Sequence, residues 1–143
     1  MDTTHLHLLL NHFPIIGTMI GTAILVFGFW KNSHQLQQVA MTLLVVMALF
    51  AIPVFLTGEP AEESVENLPG VSEVMLEEHE EAGEWAFWIM ISAGVAALIS
   101  LILLSTESQS ARLLTRVTLI LSLFATIAMA RTGYLGGQIR HSE

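Results

Sequence analysis

Residues 72–104 read SEVMLEEHEEAGEWAFWIMISAGVAALISLILL. The twenty residues from Trp85 to Leu104 carry no charged side chain, which is the length a helix needs to cross roughly 30 Å of hydrocarbon. Ser72 offers an N-cap ahead of them, so the spacing predicts a helix from Glu73 to Leu104. Thirty-two residues at about 1.5 Å each make a rod of about 48 Å, whose first turns stand clear of the hydrocarbon. Three more apolar stretches approach or reach spanning length: Phe13–Trp30, Val39–Thr57 and Leu113–Ala130. The expected fold class is all-α, an integral membrane four-helix bundle, with residues 1–143 as one domain.

Composition agrees with that reading. The chain is 53% hydrophobic and 13% charged, with a mean hydropathy of +0.65, more apolar than a soluble surface tolerates. Cysteine is absent, which excludes disulfides, thiolate metal sites, iron–sulfur clusters and covalent c-type haem attachment. Any metal or cofactor must therefore be held by His, carboxylate or Met. The opening MDTTHLH has no Lys or Arg, and no small-x-small cleavage site follows the first apolar run, so the first segment is expected to stay in the membrane. The sequence carries no Ser/His/Asp set, phosphate loop or nucleotide fingerprint, which argues against a hydrolase or an NTP-driven pump. Nothing resembles a basic nucleic-acid surface, and nucleic acid is not an expected partner.

Two connections, Lys31–Gln38 and Ser105–Arg112, are short and polar, whereas Gly58–Glu84 is long and holds ten of the thirteen acids. Four alternating spans place both termini and this acidic connection on one face. Basic residues number three on the short-loop face (Lys31, Arg112, Arg116) and two on the other (Arg131, Arg140). The positive-inside rule then puts the short loops in the cytoplasm and the acidic face in the periplasm of a bacterial inner membrane. Within the acidic connection, Pro60 marks the start of a short helix and Leu68-Pro69-Gly70 its end. Pro14 and Pro53 each remove a helical donor from a carbonyl four residues earlier, and kinks are expected at both.

On a helical wheel, His79 shares one stripe with Ser72, Met75, Leu76, Ala82, Gly83, Ala86, Met90, Ala93, Gly94 and Ala97, while the neighbouring Glu residues fall elsewhere. Small residues let helix backbones approach closely, or leave a slot for a flat cofactor. If the first helix begins near Thr4 and continues, His5 and His12 lie nearly on one face and His7 points away. His12 lies level with the start of the third span and is expected to meet His79 across the bundle. Two facing imidazoles beside a small-residue slot suit bis-His haem b, and an ionisable group inside a bundle is by default a functional one. Arg131, at the end of the fourth span, needs an anionic partner, either Glu59 or a haem propionate. Gly133, Gly136 and Gly137 are expected to end that helix and to fold Arg140 and His141 back over the same end. Five of the six histidines would then gather there.

HLLLNHFPIIG, TGEPAEE and RTGYLGGQIRH resemble the signature stretches of a family of small four-helix bacterial predicted membrane proteins of unknown function. The resemblance covers nearly the whole chain. It implies the four-helix architecture and marks His12, Glu59 and His141 as motif positions, and it implies no activity.

The leading expectation from the residues is an electron-transfer or accessory subunit rather than a stand-alone enzyme. It binds haem b through His12 and His79, with His7, His141 and Arg131 around the group, and works in the lipid bilayer as a subunit of a larger respiratory complex or beside a periplasmic electron carrier. One rival is a bare transition-metal ion (copper, iron or zinc) held by His7, His12, Glu59, Glu63, His79 and His141. The other is a cofactor-free structural subunit, in which the small-residue stripe only packs helices.

Overall fold

The computed structural model describes residues 3–104 and 109–139, of which the side chain of Thr3 is not described. The described residues form five helices: α1 (Thr3–Leu10), α2 (His12–Trp30), α3 (His34–Glu63), α4 (Glu73–Leu104) and α5 (Gln109–Gln138). Four spans, Thr4–Trp30 and helices α3 to α5, are long and apolar enough to cross a membrane, and only 28–33% of the residues in each apolar window are buried. Most of each span therefore faces outward. Ile102, Leu113, Phe124 and Ile127 are exposed, as expected where the surrounding solvent is lipid rather than water.

The helices pack in chain order, α2 on α3, α3 on α4 and α4 on α5, and α5 closes the ring against α2. Helix α4 is the hub, because its stripe is made of side chains small enough to let two neighbours in. Leu76, Ala82, Ala86, Met90, Ala93, Gly94 and Ala97 are all buried, as the wheel predicts. At Gly94 a Cβ would overlap the methyl of Ala48 on α3. Hydroxyls tie the remaining seams: Thr22 donates to the Ser122 carbonyl at 3.1 Å, Thr126 donates to Thr22 at 3.0 Å, and Ser100 and Thr118 are paired at 3.2 Å. Such bonds substitute for the hydrophobic drive that lipid does not supply.

Helix boundaries follow local chemistry at several places. The predicted start of α4 at Glu73 is observed, and the helix continues to Leu104, the last residue described before 109. Ser33 caps α3, its Oγ accepting from the Leu36 N–H at 3.3 Å. Gly70 adopts φ +87° in the turn before α4, a conformation that costs glycine little. At the end of α2, Lys31 Nζ lies 4.4 Å from the Trp30 ring centroid and 5.7 Å from that of Phe27.

Two expectations fail. No separate helix begins at Pro60: Pro53 and Pro60 both lie inside α3, and each proline removes only one donor from it. The glycines 133, 136 and 137 do not end the fourth span either, and α5 runs through them to Gln138. Arg140 and His141 lie outside the described residues.

Because Gly94 sits against Ala48, Gly94→Ala is expected to cost about 1–3 kcal/mol by overpacking. Gly83→Ala, whose new methyl would meet only Thr132 Cγ2 at 3.8 Å, should be close to neutral. Thermal unfolding of both variants in detergent checks the contrast.

Candidate functional site

Pro14 leaves the Leu10 carbonyl without its helical donor, and the helical hydrogen bonding is interrupted at Asn11, between α1 and α2, whose backbone stays helical at φ −63° and ψ −27°. Both α1 and α2 pack against α3. Beside α1, the ends of α3, α4 and α5 and the 64–71 turn border an open-sided cavity of about 800 Å³. That volume falls within the roughly 300–1,000 Å³ range of small-molecule sites. Much of its wall is apolar, including Phe55 and Phe87, whose rings stack at 4.2 Å and 14°.

Three histidines of the wall share one arrangement. His7 Nδ1 lies 3.2 Å from the Val54 carbonyl on α3 and 3.3 Å from Thr57 Oγ1. His79 Nδ1 lies 3.1 Å from the Thr132 carbonyl on α5. His12 Nδ1 lies 2.9 Å from the Leu8 carbonyl one turn back. A carbonyl can only accept, so each Nδ1 must carry the proton, and in the neutral ring Nε2 is left as the lone-pair nitrogen. This is the orientation in which a histidine ligates a metal, its other nitrogen held by the surrounding protein.

His7 and His79 are half-buried and His12 is exposed. His7 and His79 are also near enough for the charge of one to bear on the other. Gly136 keeps the His79 ring in place, since a Cβ there would stand 2.9 Å from its Cε1. The pair that the fold brings together is thus His7 with His79, whereas the expected partner, His12, sits at the exposed rim. The wheel placed His7 away from His5 and His12, but α1 packs against α3 and the His7 imidazole bonds there to the Val54 carbonyl. His5 lines the same cavity.

Glu59, Glu62, Glu80 and Glu84 also line the wall, and no Lys or Arg among the described residues does. Glu62 is half-buried, with the carboxylates of Glu59 and Glu80 acting on it. Its place on the wall was not foreseen, because nothing in the run TGEPAEE distinguishes it from its neighbours before α3 is known to continue past Pro60. Glu63 is exposed and lies off the wall. Among the described residues no three His, Asp or Glu side chains stand close enough to hold a metal ion, so Glu59, Glu63, His12 and His79 are not gathered into one ligand set. Arg131 is exposed on α5, away from the cavity wall, and among the described residues it forms no ion pair with Glu59. One group on the wall is unsatisfied: Asn11 Oδ1 is buried without a hydrogen-bond partner.

The chain belongs to the predicted membrane protein family DUF2231, whose model matches residues 3–142. No curated protein matches the chain, and no solved structure does.

The contact at Gly136 gives a direct check on the imidazole. Gly136→Ala should displace the His79 ring from the Thr132 carbonyl, seen as a shift of its ring resonances in NMR of the detergent-solubilised protein. Gly137→Ala, which has nothing within 4 Å of the new methyl, should leave them in place.

Proposed function

We propose that this protein transfers electrons in the bacterial inner membrane, holding haem b in the cavity between His7 and His79. The observation that carries the reading is the matched pair of Nδ1 hydrogen bonds to carbonyls on α3 and α5. Both rings are locked by helices other than their own, and both present Nε2 as the ligating nitrogen. A haem bound there would supply one-electron chemistry. The protein's own part is to fix two ligands on a largely apolar wall that also carries carboxylates. Negative charge around an iron centre favours its oxidised, more positive state, so the acidic lining would hold the reduction potential down. The acidic groups that a haem carries would find no cation on the described wall to pair with.

The excess of Lys31, Arg112 and Arg116 on the opposite face supports a periplasmic position for the cavity. Reporter fusions after Ser33 and after Asn67 test this, with cytoplasmic activity expected only at Ser33. Cytoplasmic activity at Asn67 would invert the orientation.

A second reading has its own observation. His79 already has a partner in the Thr132 carbonyl and packs on Gly136, which is all that a cofactor-free structural role requires. Absorption spectra of purified protein, oxidised and dithionite-reduced, separate the two. The haem reading expects a Soret band with sharp reduced α and β bands, lost in both His7→Ala and His79→Ala. Because two axial ligands act on one iron, the double variant should lose no more than either single one. The structural reading expects no such bands, and His79→Ala then costs about 1 kcal/mol for the lost hydrogen bond.

A further inference from the structure

We propose that an anionic phospholipid binds in the groove between α2 and α5, its acyl chain along the groove and its phosphate held by Lys31, Arg112 and Arg116. The groove runs toward the opposite end of the bundle from the histidine cavity, and its occupant is independent of the haem reading. Met19, Val26, Phe27 and Trp30 on α2 and Leu123 and Thr126 on α5 are among the residues that line about 500 Å³ of open-sided space. No acid or histidine is among the described residues of that lining.

Length and polarity suit an acyl chain. From Met19 to Trp30 the groove follows α2 for about 17 Å, against about 15 Å for half of a roughly 30 Å hydrocarbon core. Its hydroxyls ask nothing of a ligand, because Thr22 donates to the Ser122 carbonyl and Thr126 donates to Thr22.

Charge selects the headgroup. Thr22 bonds to Ser122, and a Cβ on Gly133 would meet Ile15 at 3.1 Å, so numbers rise on one helix as they fall on the other and the two run antiparallel. Extending that register brings Arg116 level with Lys31 at the end of α2, with Arg112 one turn beyond. At about 100° per residue both arginines lie within about 20° of Leu123, on the face of α5 that forms the groove. Lys31 folds back over the lining itself, with Nζ 4.4 Å from the Trp30 ring centroid and 5.7 Å from that of Phe27. Three of the five basic residues of the chain thus stand at one mouth of one groove, and all three are exposed. Glu107, outside the described residues, is the one acid that the sequence places on this face. Basic pockets between membrane helices are the recurrent setting for anionic lipid headgroups. A zwitterionic lipid would bring its own ammonium against these cations.

The test is native mass spectrometry of the purified full chain in detergent, titrated with an equimolar mixture of phosphatidylglycerol and phosphatidylcholine of the same acyl chains. The wild type should retain phosphatidylglycerol in preference. Lys31→Gln, Arg112→Gln and Arg116→Gln should each weaken that retention by about fivefold, and the triple variant by about a hundredfold. Arg131→Gln, which removes an exposed cation from the other end of α5, should leave it unchanged. Ala23 lines the groove and is exposed, so Ala23→Phe fills the groove without disturbing the core or the cations. It should weaken retention of both lipids by about tenfold, as for two methylene groups kept from burial. Equal retention of the two lipids by the wild type overturns the proposal, as does a triple variant that keeps the preference or an Arg131→Gln that loses it. Unchanged retention in Ala23→Phe removes the chain from the groove and overturns it too. Displacement of the lipid by millimolar glycerol 3-phosphate would make this a site for free phosphate, which is the remaining result against it.

Discussion

Helix α4 approaches α3 so closely at Gly94 that a single methyl would not fit, and the rest of the bundle is arranged around that contact. Lipid gives two apolar helices no reason to associate beyond dispersion and hydrogen bonding, so the approach has to be permitted by side-chain size. Ala86, Ala93 and Ala97 extend the same permission along α4. The buried hydroxyl pairs between Ser100 and Thr118, and between Thr22 and Thr126, then fix the two seams of α5. Toward the acidic end this regime changes. Pro14 withdraws a helical donor, the rings of Phe55 and Phe87 join alanines on the wall, and the helices no longer fill the space between them. The cavity is what remains when tight packing stops short of the helix ends.

What lines that space is chemically one-sided. Three imidazoles are pinned by carbonyls in one tautomer, carboxylates share their wall, and among the described residues no Lys or Arg does. Pinning matters because an unconstrained histidine rotates and exchanges tautomers, and then presents no defined lone pair. Here three carbonyls, of Leu8, Val54 and Thr132, make that choice before any ligand arrives. The cost of ordering the rings is therefore met during folding rather than during binding.

Much of this was legible in the sequence, and the failures have local causes. The stripe on α4 and the start of that helix follow from periodicity and the absence of charge, both of which act within a few residues. His79 was found because it stands alone among small residues on a face that must be inward. His7 was missed because the face of α1 that meets α3 is decided by tertiary packing, which a wheel drawn on one helix does not contain. The Glu59–Arg131 pair was expected because a charge near hydrocarbon needs a partner. Arg131 is instead exposed, and a long side chain at a helix end can carry its charge out to water. Glycine as a helix terminator also failed in α5, where packing of Gly136 against His79 and of Gly133 against Ile15 outweighs a propensity cost of about 1 kcal/mol per residue.

Trp30 and Lys31, in contact at the end of α2, are a pair suited to the headgroup layer, and Trp85, Trp88 and Tyr134 are exposed on the helices that form the cavity. These aromatic belts fix the vertical position of the molecule. Within the Thr4–Trp30 span, the uninterrupted apolar run from Phe13 to Trp30 covers about 27 Å, slightly less than the roughly 30 Å of an average hydrocarbon layer. Hydrophobic mismatch therefore falls on the His12 end: a thicker bilayer submerges that imidazole in acyl chains, while a thinner one leaves it in water. Lipid chain length, a property of the host membrane, thereby sets how wet the rim of the cavity is.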